Sequence, residues 1–301
     1  MRVMNYDNCN IVHSYWSKPY FTTEADKGGW NKNIFHFMSC AFSCLKFNEY
    51  HKISLITDKA GKELFIDKMG LPYHQVSTPL DLLNNEYPEY LWAIGKLYTY
   101  SIMEKPFIHV DNDIFIWEPL GQNLLSAPLV AHNLEVSYSH NKIFFTDILN
   151  KFRYVPDILI ESFRLNNNVN EINAGILGGT DINFFKEYCS LAFDFVDKNL
   201  DIIRKLDRPG MFNVIYEQFL FYALAKSKSR KIEYLITEEV DQHFLGLTDF
   251  WESPQKRKYI HTVGAYKTWY IIGEQIAHRL YKEYPEYYHR IIKLYQKGEL
   301  I

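Results

Sequence analysis

Short apolar runs of strand length alternate with segments of helical periodicity through the first part of the chain. The strand-like runs lie at 10–14, 53–56 and 107–110, and between them apolar residues recur three or four positions apart, as on one face of a helix. Gly70 follows the helix predicted over 59–69, where a glycine commonly ends a helix. This alternation predicts an α/β fold, with a mostly parallel central sheet flanked by helices.

The pattern is less regular in the second half of the chain. An apolar run at 114–117 predicts an extension of the sheet after a break, and the runs at 172–177, 232–236 and 259–262 predict later strands. Asp181 stands at the N-cap position of a helix with a strongly apolar face. Residues 137–170 show no clear sheet pattern, so the fold is predicted less completely there.

No internal repeat, low-complexity segment or linker divides the chain. One domain is therefore predicted over 1–270, followed by a helical tail over 271–301. Within the tail, 273–297 interleaves basic residues with tyrosines. Such a helix either packs on the domain or lies at a membrane surface, where cations attract anionic lipid and tyrosines sit among the headgroups. The second alternative predicts a peripheral membrane contact.

Composition and charge narrow the class of protein. The net charge is 33 − 36 = −3, which argues against nucleic acid as a partner, and no apolar run approaches the length of a membrane span. Four cysteines in 301 residues do not make a disulfide framework, and the polar N-terminal residues do not make a signal peptide. These features predict a cytoplasmic protein, free or held at the inner face of the membrane.

Two aspartates, Asp111 and Asp113, directly follow the apolar strand at 107–110. Ligands of open α/β sheets bind outside the carboxyl ends of the strands. Neighbouring carboxylates repel one another unless an ion or a network compensates them, and Mg²⁺ or Mn²⁺ takes oxygen ligands together with substrate phosphates. A surface turn would use the same residues, but apolar residues on both sides place these acids inside the fold.

Two enzyme classes place Asp-x-Asp after a strand. Haloacid-type phosphatases use the first aspartate as a nucleophile and carry a hydroxyl residue shortly after the second, whereas Ile114 and Phe115 stand at that place here. Nucleotide-sugar glycosyltransferases of the GT-A fold use the two acids to hold a metal on a diphosphate. The aspartates alone leave both classes open.

A second motif lies towards the C-terminus and reads His261-Thr-Val-Gly264-Ala-Tyr-Lys267-Thr-Trp269. The imidazole of His261 is able to complete a metal shell that carboxylates begin. Gly264 permits a close approach of the backbone to a ligand, and Lys267 supplies a point charge for a phosphate.

This motif resembles the C-terminal His-x-x-Gly-x-x-Lys-Pro-Trp of the retaining glycosyltransferase family that includes glycogenin and bacterial lipooligosaccharide galactosyltransferases. Thr268 stands here in place of the proline. Three shorter segments are similar to the family in the same order along the chain, namely Lys96-Leu97 (Arg-Leu in the family), Ile172-Asn173-Ala174-Gly175 and Glu217-Gln218 (Asp-Gln in the family). The resemblance covers about 90–270 and implies a GT-A-like fold.

By this resemblance, Asp111, Asp113 and His261 hold Mn²⁺ or Mg²⁺ on the phosphates of a nucleotide-sugar donor, for which UDP is the expected nucleotide. The sugar would pass to a glycan or lipid-linked acceptor with retention of configuration. The metal would neutralise the charge that develops on the leaving diphosphate.

The resemblance also implies roles for further residues. Those expected to bind the donor are Lys96, Asn112, Gly264 and Lys267, with His13, Ser14, Tyr15 and Asp58 as candidates for base and ribose contacts. Those expected at the transferred sugar are Asn173, Glu217 and Gln218, and Asn133 and Glu135 are expected at the acceptor. An amide is a poor nucleophile, so front-face attack and a covalent intermediate both stay open.

Two rival functions also stay open. A metal-dependent phosphatase or nucleotidyltransferase would use the same aspartates. A non-catalytic carbohydrate-binding protein would keep the fold and its sugar contacts without turnover.

Overall fold

A computed structural model of the chain describes residues 9–22, 29–136, 138–237 and 250–300. Its strands are β1 (Asn10–Tyr15), β2 (Ile53–Thr57), β3 (Gln75–Ser77), β4 (Phe107–Val110), β5 (Ile114–Ile116), β6 (Val130–Ala131), β7 (Leu134–Glu135), β8 (Glu171–Ile172), β9 (Ile176–Gly179), β10 (Glu233–Tyr234) and β11 (Tyr259–His261). Its α-helices are α1 (Lys18–Thr22), α2 (Asn33–Asn48), α3 (Lys59–Lys62), α4 (Ile94–Ser101), α5 (Gln122–Leu125), α6 (Ser139–Lys151), α7 (Asp157–Asn166), α8 (Ile182–Asp197), α9 (Leu200–Ile203), α10 (Leu220–Ser227), α11 (Tyr270–Glu283) and α12 (Pro285–Gln296). Shorter π-helical and 3₁₀ segments are Glu63–Lys68 and Val214–Phe219 (π) and Pro79–Leu83, Pro209–Met211, Phe250–Glu252 and Gly264–Thr268 (3₁₀).

Seven of these strands form one sheet in the order β10-β6-β9-β4-β1-β2-β3. β1 pairs parallel with β2, β2 with β3, and β10 with β6, whereas β6 and β9 are antiparallel. The predicted α/β class, with a mostly parallel central sheet and a helical C-terminus, is confirmed. β5 does not extend this sheet as its apolar run predicted; it pairs with β11 in a separate antiparallel ribbon.

The described chain divides into two compact units. Unit 1 takes the described residues of Met1–Glu89, Val110–Leu120 and His243–Ile301, and unit 2 those of Tyr90–His109 and Gly121–Gln242. The domain boundary predicted at residue 270 stays a prediction.

Unit 1 packs its core around α2. This helix is buried over most of its length, and Phe37, Phe42 and Phe47 have no exposed surface. A side chain on Gly273 of α11 would collide with the ring of Phe35, so glycine permits the close approach of the two helices. The predicted tail is helical, and it breaks at Pro285, which begins α12 at a position where proline costs no hydrogen bond.

Unit 2 has an aromatic core. Phe185 on α8 packs its ring against Phe107 and Phe221, with ring centroids 4.8 and 5.8 Å away. Asp181 caps α8 as predicted, because its Oδ1 accepts the N–H of Phe184 at 3.1 Å. The stretch that lacked a sheet pattern forms α6 and α7. No helix in the described ranges is long and apolar enough to span a membrane.

Candidate metal site and buried charged clusters

The antiparallel ribbon of β5 and β11 brings two distant segments of unit 1 together. Ile114 lies opposite His261, and the pairing continues one step further because the N–H of Thr262 donates to the carbonyl of Asp113 at 3.0 Å. Backbone pairing therefore sets Asp113 beside His261, and no loop conformation has to hold them together.

The turn that carries the two aspartates is held by hydrogen bonds from its neighbours. Ser39 and Ser43 of α2 donate their hydroxyls to the carbonyls of Asn112 and Asp111, at 3.0 and 3.4 Å. The side-chain amide of Asn112 donates to the carbonyl of Ser14 at 2.8 Å, which ties the turn to the end of β1. Asn112 thus helps to fix the turn that carries the two acids, and its predicted contact with the donor stays a prediction.

Asp111, Asp113 and His261 converge. Each offers a ligand atom, and the three atoms lie within 4.8 Å of one another. Nζ of Lys267 lies 2.5 Å from Oδ2 of Asp113. Oδ1 of Asp113 lies 3.5 Å from Nε2 of His261, a contact that falls short of a hydrogen bond. Asp113 and His261 are buried, while Asp111 is half-buried.

The electrostatics of this cluster favour an ionised Asp113. Burial raises the pKa of its carboxyl, but the charge of Lys267 and the neighbouring His261 outweigh that effect, so the pKa lies far below its usual range. Asp113 in turn raises the pKa of Lys267 against the lowering effect of burial. The carboxylates thus already attract a cation, here the lysine ammonium.

The Gly264–Thr268 turn carries Lys267 to this place. Gly264 has a φ of +48°, which favours glycine, and a Cβ added there would meet no atom of the described residues within 4 Å. The turn is therefore open to a ligand on its Gly264 side, next to the lysine.

Two donor-binding candidates of unit 1 are fully buried. Asp58 caps α3, and its carboxylate accepts the N–H of Gly61 at 2.8 Å and both the N–H and the hydroxyl of Ser17, at 2.9 and 2.7 Å. His13 shares a 3.0 Å hydrogen bond with Tyr73, and burial lowers its pKa to about 3. Their predicted contacts with base and ribose stay predictions.

In unit 2, Lys96 and Glu217 form a buried ion pair. Nζ of Lys96 lies 2.8 Å from Oε1 of Glu217 and donates to the carbonyl of Ala174 at 3.1 Å. Tyr100 donates its hydroxyl to the same carboxylate oxygen at 3.3 Å. Glu217 has no exposed surface, whereas its neighbour Gln218 is half-buried and so the more accessible of the two. Both lie in a π-helical segment, a form that often marks functional sites.

Asn173 lies in a second polar cluster of unit 2. Its amide donates to Oε1 of Glu135 at 2.7 Å, and its Oδ1 accepts the N–H of Gly175 at 2.9 Å. Glu135 lies directly opposite Glu171 in the β7–β8 pair, and both are buried. Burial and the nearby Glu135 raise the pKa of Glu171 well above its usual value, although a hydrogen bond from Asn141 acts against this.

Two features of these clusters were not predicted from the sequence, namely the serines that hold the aspartate turn and the buried Glu171. The serines at 39 and 43 stand four positions apart in a largely apolar helix, a spacing that places them on one face and was available as a signal. Glu171 gave none, because a two-residue strand shows no alternation.

The chain belongs to a family of unknown function, DUF6734, whose model matches residues 9–294. No curated protein matches the sequence. Among solved structures, the crystal structure of mouse xyloside xylosyltransferase 1, apo form, is similar with a TM-score of 0.41 and 10% identity, over 76% of this chain and 85% of that chain. A score this low does not establish a common fold.

Proposed function

We propose that this chain is a metal-dependent glycosyltransferase that moves a sugar from a nucleotide donor, with UDP as the nucleotide, to a glycan or lipid-linked acceptor with retention of configuration. One observation carries the proposal. Asp111, Asp113 and His261, which the motif resemblance selected from two distant segments, offer ligand atoms within 4.8 Å of one another.

The residues present fit Mn²⁺ or Mg²⁺. Two carboxylates and an imidazole are ligands for such ions, and Oδ1 of the buried Asp113 makes no hydrogen bond within the described chain. The ammonium of Lys267 already lies beside the carboxylate of Asp113, so the negative charge of this cluster attracts a cation. When bound, the metal supplies Lewis-acid stabilisation of the diphosphate leaving group.

Lys267 and Gly264 then act on the same phosphates. The ammonium of Lys267, which lies 2.5 Å from Oδ2 of Asp113, would be available to a phosphate oxygen if that carboxylate held a metal. The open, positive-φ turn at Gly264 leaves space for the phosphates against the backbone.

The roles proposed inside unit 2 follow its hydrogen bonds. Gln218, the more accessible residue, contacts the transferred sugar, while Glu217 holds the ammonium of Lys96 in place for the donor. Asn173, fixed through Glu135, presents its backbone turn to the sugar.

Thermal unfolding with UDP, GDP and ADP, each with and without Mn²⁺, tests the proposal. We expect UDP to raise the melting temperature of the wild-type protein only with Mn²⁺; a ligand at a hundred times its Kd adds about 2.7 kcal/mol. Asp113→Asn and His261→Ala should abolish this shift. Exposed residues of unit 1 serve as matched controls, and Asp67→Asn and His74→Ala should keep it.

Other outcomes would contradict the proposal. Stabilisation by no nucleotide, or equal stabilisation without metal, is incompatible with it. Turnover of p-nitrophenyl phosphate that depends on Asp111 would support the phosphatase instead. Binding of UDP-sugars without any slow donor hydrolysis would support the non-catalytic carbohydrate-binding protein.

A peripheral membrane contact of the tail remains part of the proposal. The structure uses part of the tail internally, since Ile276 and Leu280 are buried and Arg290 donates to the carbonyl of Met69 at 2.9 Å. The exposed Lys293 and Lys297 are available to anionic lipid. Flotation with anionic vesicles should fall in Lys293→Glu/Lys297→Glu, and equal flotation would rule the contact out.

A further inference from the structure

A cavity of about 550 Å³ lies wholly within unit 1, lined by residues around β5, the Phe250–Glu252 turn and α11. Trp117, which lines the cavity, shows where the cavity lies along the β5–β11 ribbon. The N–H of Trp117 donates to the carbonyl of Lys258 at 2.8 Å, and this contact lies at the end of the ribbon remote from His261. Asp113 and Trp117 are four residues apart along an extended chain, a separation of about 13 Å. The cavity is thus distinct from the metal cluster.

Two tryptophans give the cavity an aromatic lining. The side chain of Trp251 is 86% exposed, unusual for so large an apolar group. Trp117 is held in the wall between two cations, with Arg279 5.2 Å and Lys46 5.5 Å from its ring centroid. Arg279 is itself anchored, since it donates to the carbonyl of Ser253 at 2.6 Å. The wall is therefore pre-formed, and Trp251 presents an aromatic face to solvent.

The polar lining combines neutral hydrogen-bonding groups with the charged residues Arg279, Lys282 and Glu283. The side-chain amides of Gln255 and Gln275 line the cavity. Ser253 lines it too, and its buried hydroxyl makes no hydrogen bond within the described chain. A buried hydroxyl without a partner is costly, so a ligand hydroxyl brought to it would be favoured.

A saccharide is the ligand that fits this combination. A pyranose ring stacks its C–H face on an aromatic side chain and offers hydroxyls to amides and hydroxyls at its rim. The volume lies within the range of pockets for small ligands.

We propose that this cavity binds a saccharide unit of a glycan and is a second binding site, separate from the metal cluster. The choice of a glycan rests on the proposed function, in which the acceptor is a glycan. Two binding sites for one glycan on the same chain raise the effective concentration of the glycan at the protein.

Isothermal titration calorimetry on the full chain in EDTA, without nucleotide, tests this site independently of the metal-dependent donor site. The probes are maltotetraose, cellotetraose and chitotetraose. At least one should bind the wild-type protein, and Trp251→Ala should weaken it about tenfold or more through loss of the stacking face. Trp251→Tyr keeps an aromatic face and should retain most of the affinity.

Tyr281→Ala removes a 50% exposed aromatic side chain from α11 outside the cavity, and this variant should bind as the wild type does. Absence of binding by all three probes would overturn the proposal, as would equal binding by Trp251→Ala. Failure of UDP to bind with Mn²⁺, alongside saccharide binding that depends on Trp251, would overturn the proposed function and leave this site standing.

Discussion

Each of the two units contains a lysine paired with a buried carboxylate, but the pairs differ in what surrounds them. In unit 2, Lys96 meets Glu217 at 2.8 Å, and the carboxylate side chain has no exposed surface. In unit 1, Lys267 meets Asp113 at 2.5 Å, and the lysine side chain is 21% exposed. Asp111 and His261 stand beside the second pair, so potential metal ligands outnumber the cation there.

The difference teaches that burial of an ion pair does not define its role. A fully enclosed pair with one charge of each sign has little to gain from an added ion, and it fixes local structure. In the second cluster the ligands outnumber the cation, and the lysine is partly exposed. Replacement of the lysine ammonium by a metal ion therefore costs less free energy there. Loss of one partner should therefore act mainly on stability in the first arrangement and mainly on binding in the second.

Glu217→Ala should have the largest effect on stability. It leaves the ammonium of Lys96 buried without this carboxylate, and the loss of one partner of a buried pair costs about 3–5 kcal/mol. Urea unfolding should show this loss. Glu217→Leu combined with Lys96→Met removes both charges and should recover most of it.

The exposed pair of Lys151 and Asp147 is the matched control in the same unit. Asp147→Ala should change stability by no more than about 0.5 kcal/mol, because exposed pairs contribute little. If Glu217→Ala were as mild as this control, the contrast between the two units would fail.

Lys267→Met should act on binding, and in two opposite directions. Removal of the ammonium from Asp113 should tighten binding of Mn²⁺ alone by about tenfold, since a competing cation at 2.5 Å is lost. Binding of UDP in the presence of Mn²⁺ should weaken by a similar factor, because a phosphate contact is lost. Calorimetric titrations with Mn²⁺ alone and with UDP in the presence of Mn²⁺ measure the two changes. Lys267→Arg keeps the positive charge and should show only part of each change. Two changes in the same direction would contradict the exchange of cations.

The sequence predicted the elements whose patterns are local. β1, β2, β4 and α2 follow from apolar runs and helical spacing, and Asp181 was found as a cap because capping chemistry is local. β5 was predicted as a strand but was wrongly expected to extend the central sheet, since an apolar run does not say which strand it pairs with. That partner, β11, is also what brings His261 beside Asp113.

Site residues were predictable where a motif joined chemistry to position. Asp111, Asp113 and His261 were selected in this way, and the structure brings them together. Lys96 and Glu217 were selected by the same resemblance, one for the donor and one for the transferred sugar, and only the fold reveals that they form an ion pair with one another. Glu135 and Glu171 lie opposite one another on strands of two residues, too short to produce a pattern.

Glu171→Gln should change how stability depends on pH. The folded state raises the pKa of this carboxyl, so its stabilising contribution is complete below the ordinary value near 4.5 and is lost as the pH rises through the folded value. The wild type should lose up to about 1.4 kcal/mol per pH unit in this range relative to Glu171→Gln, which still accepts the hydrogen bond from Asn141. Urea unfolding from pH 4.5 upwards measures the difference. The free energy of unfolding of the exposed control Glu161→Gln should depend on pH as that of the wild type does. If Glu171→Gln also followed the wild type, the pKa of Glu171 would not be raised.

Gly264→Ala should have the smallest effect on stability and a separate effect on binding. Its φ of +48° strains an alanine by about 1 kcal/mol, while the added methyl meets no described residue within 4 Å. Gly298→Ala is a matched control, because Gly298 also has a positive φ and no described atom within 4 Å of an added Cβ, but lies after α12. The two variants should lose similar stability in thermal unfolding. UDP with Mn²⁺ should bind more weakly to Gly264→Ala alone, since only there would the methyl occupy space proposed for the phosphates. Equal donor binding by both variants would mean that the open side of the turn is not used, and the donor would have to reach Lys267 from another direction.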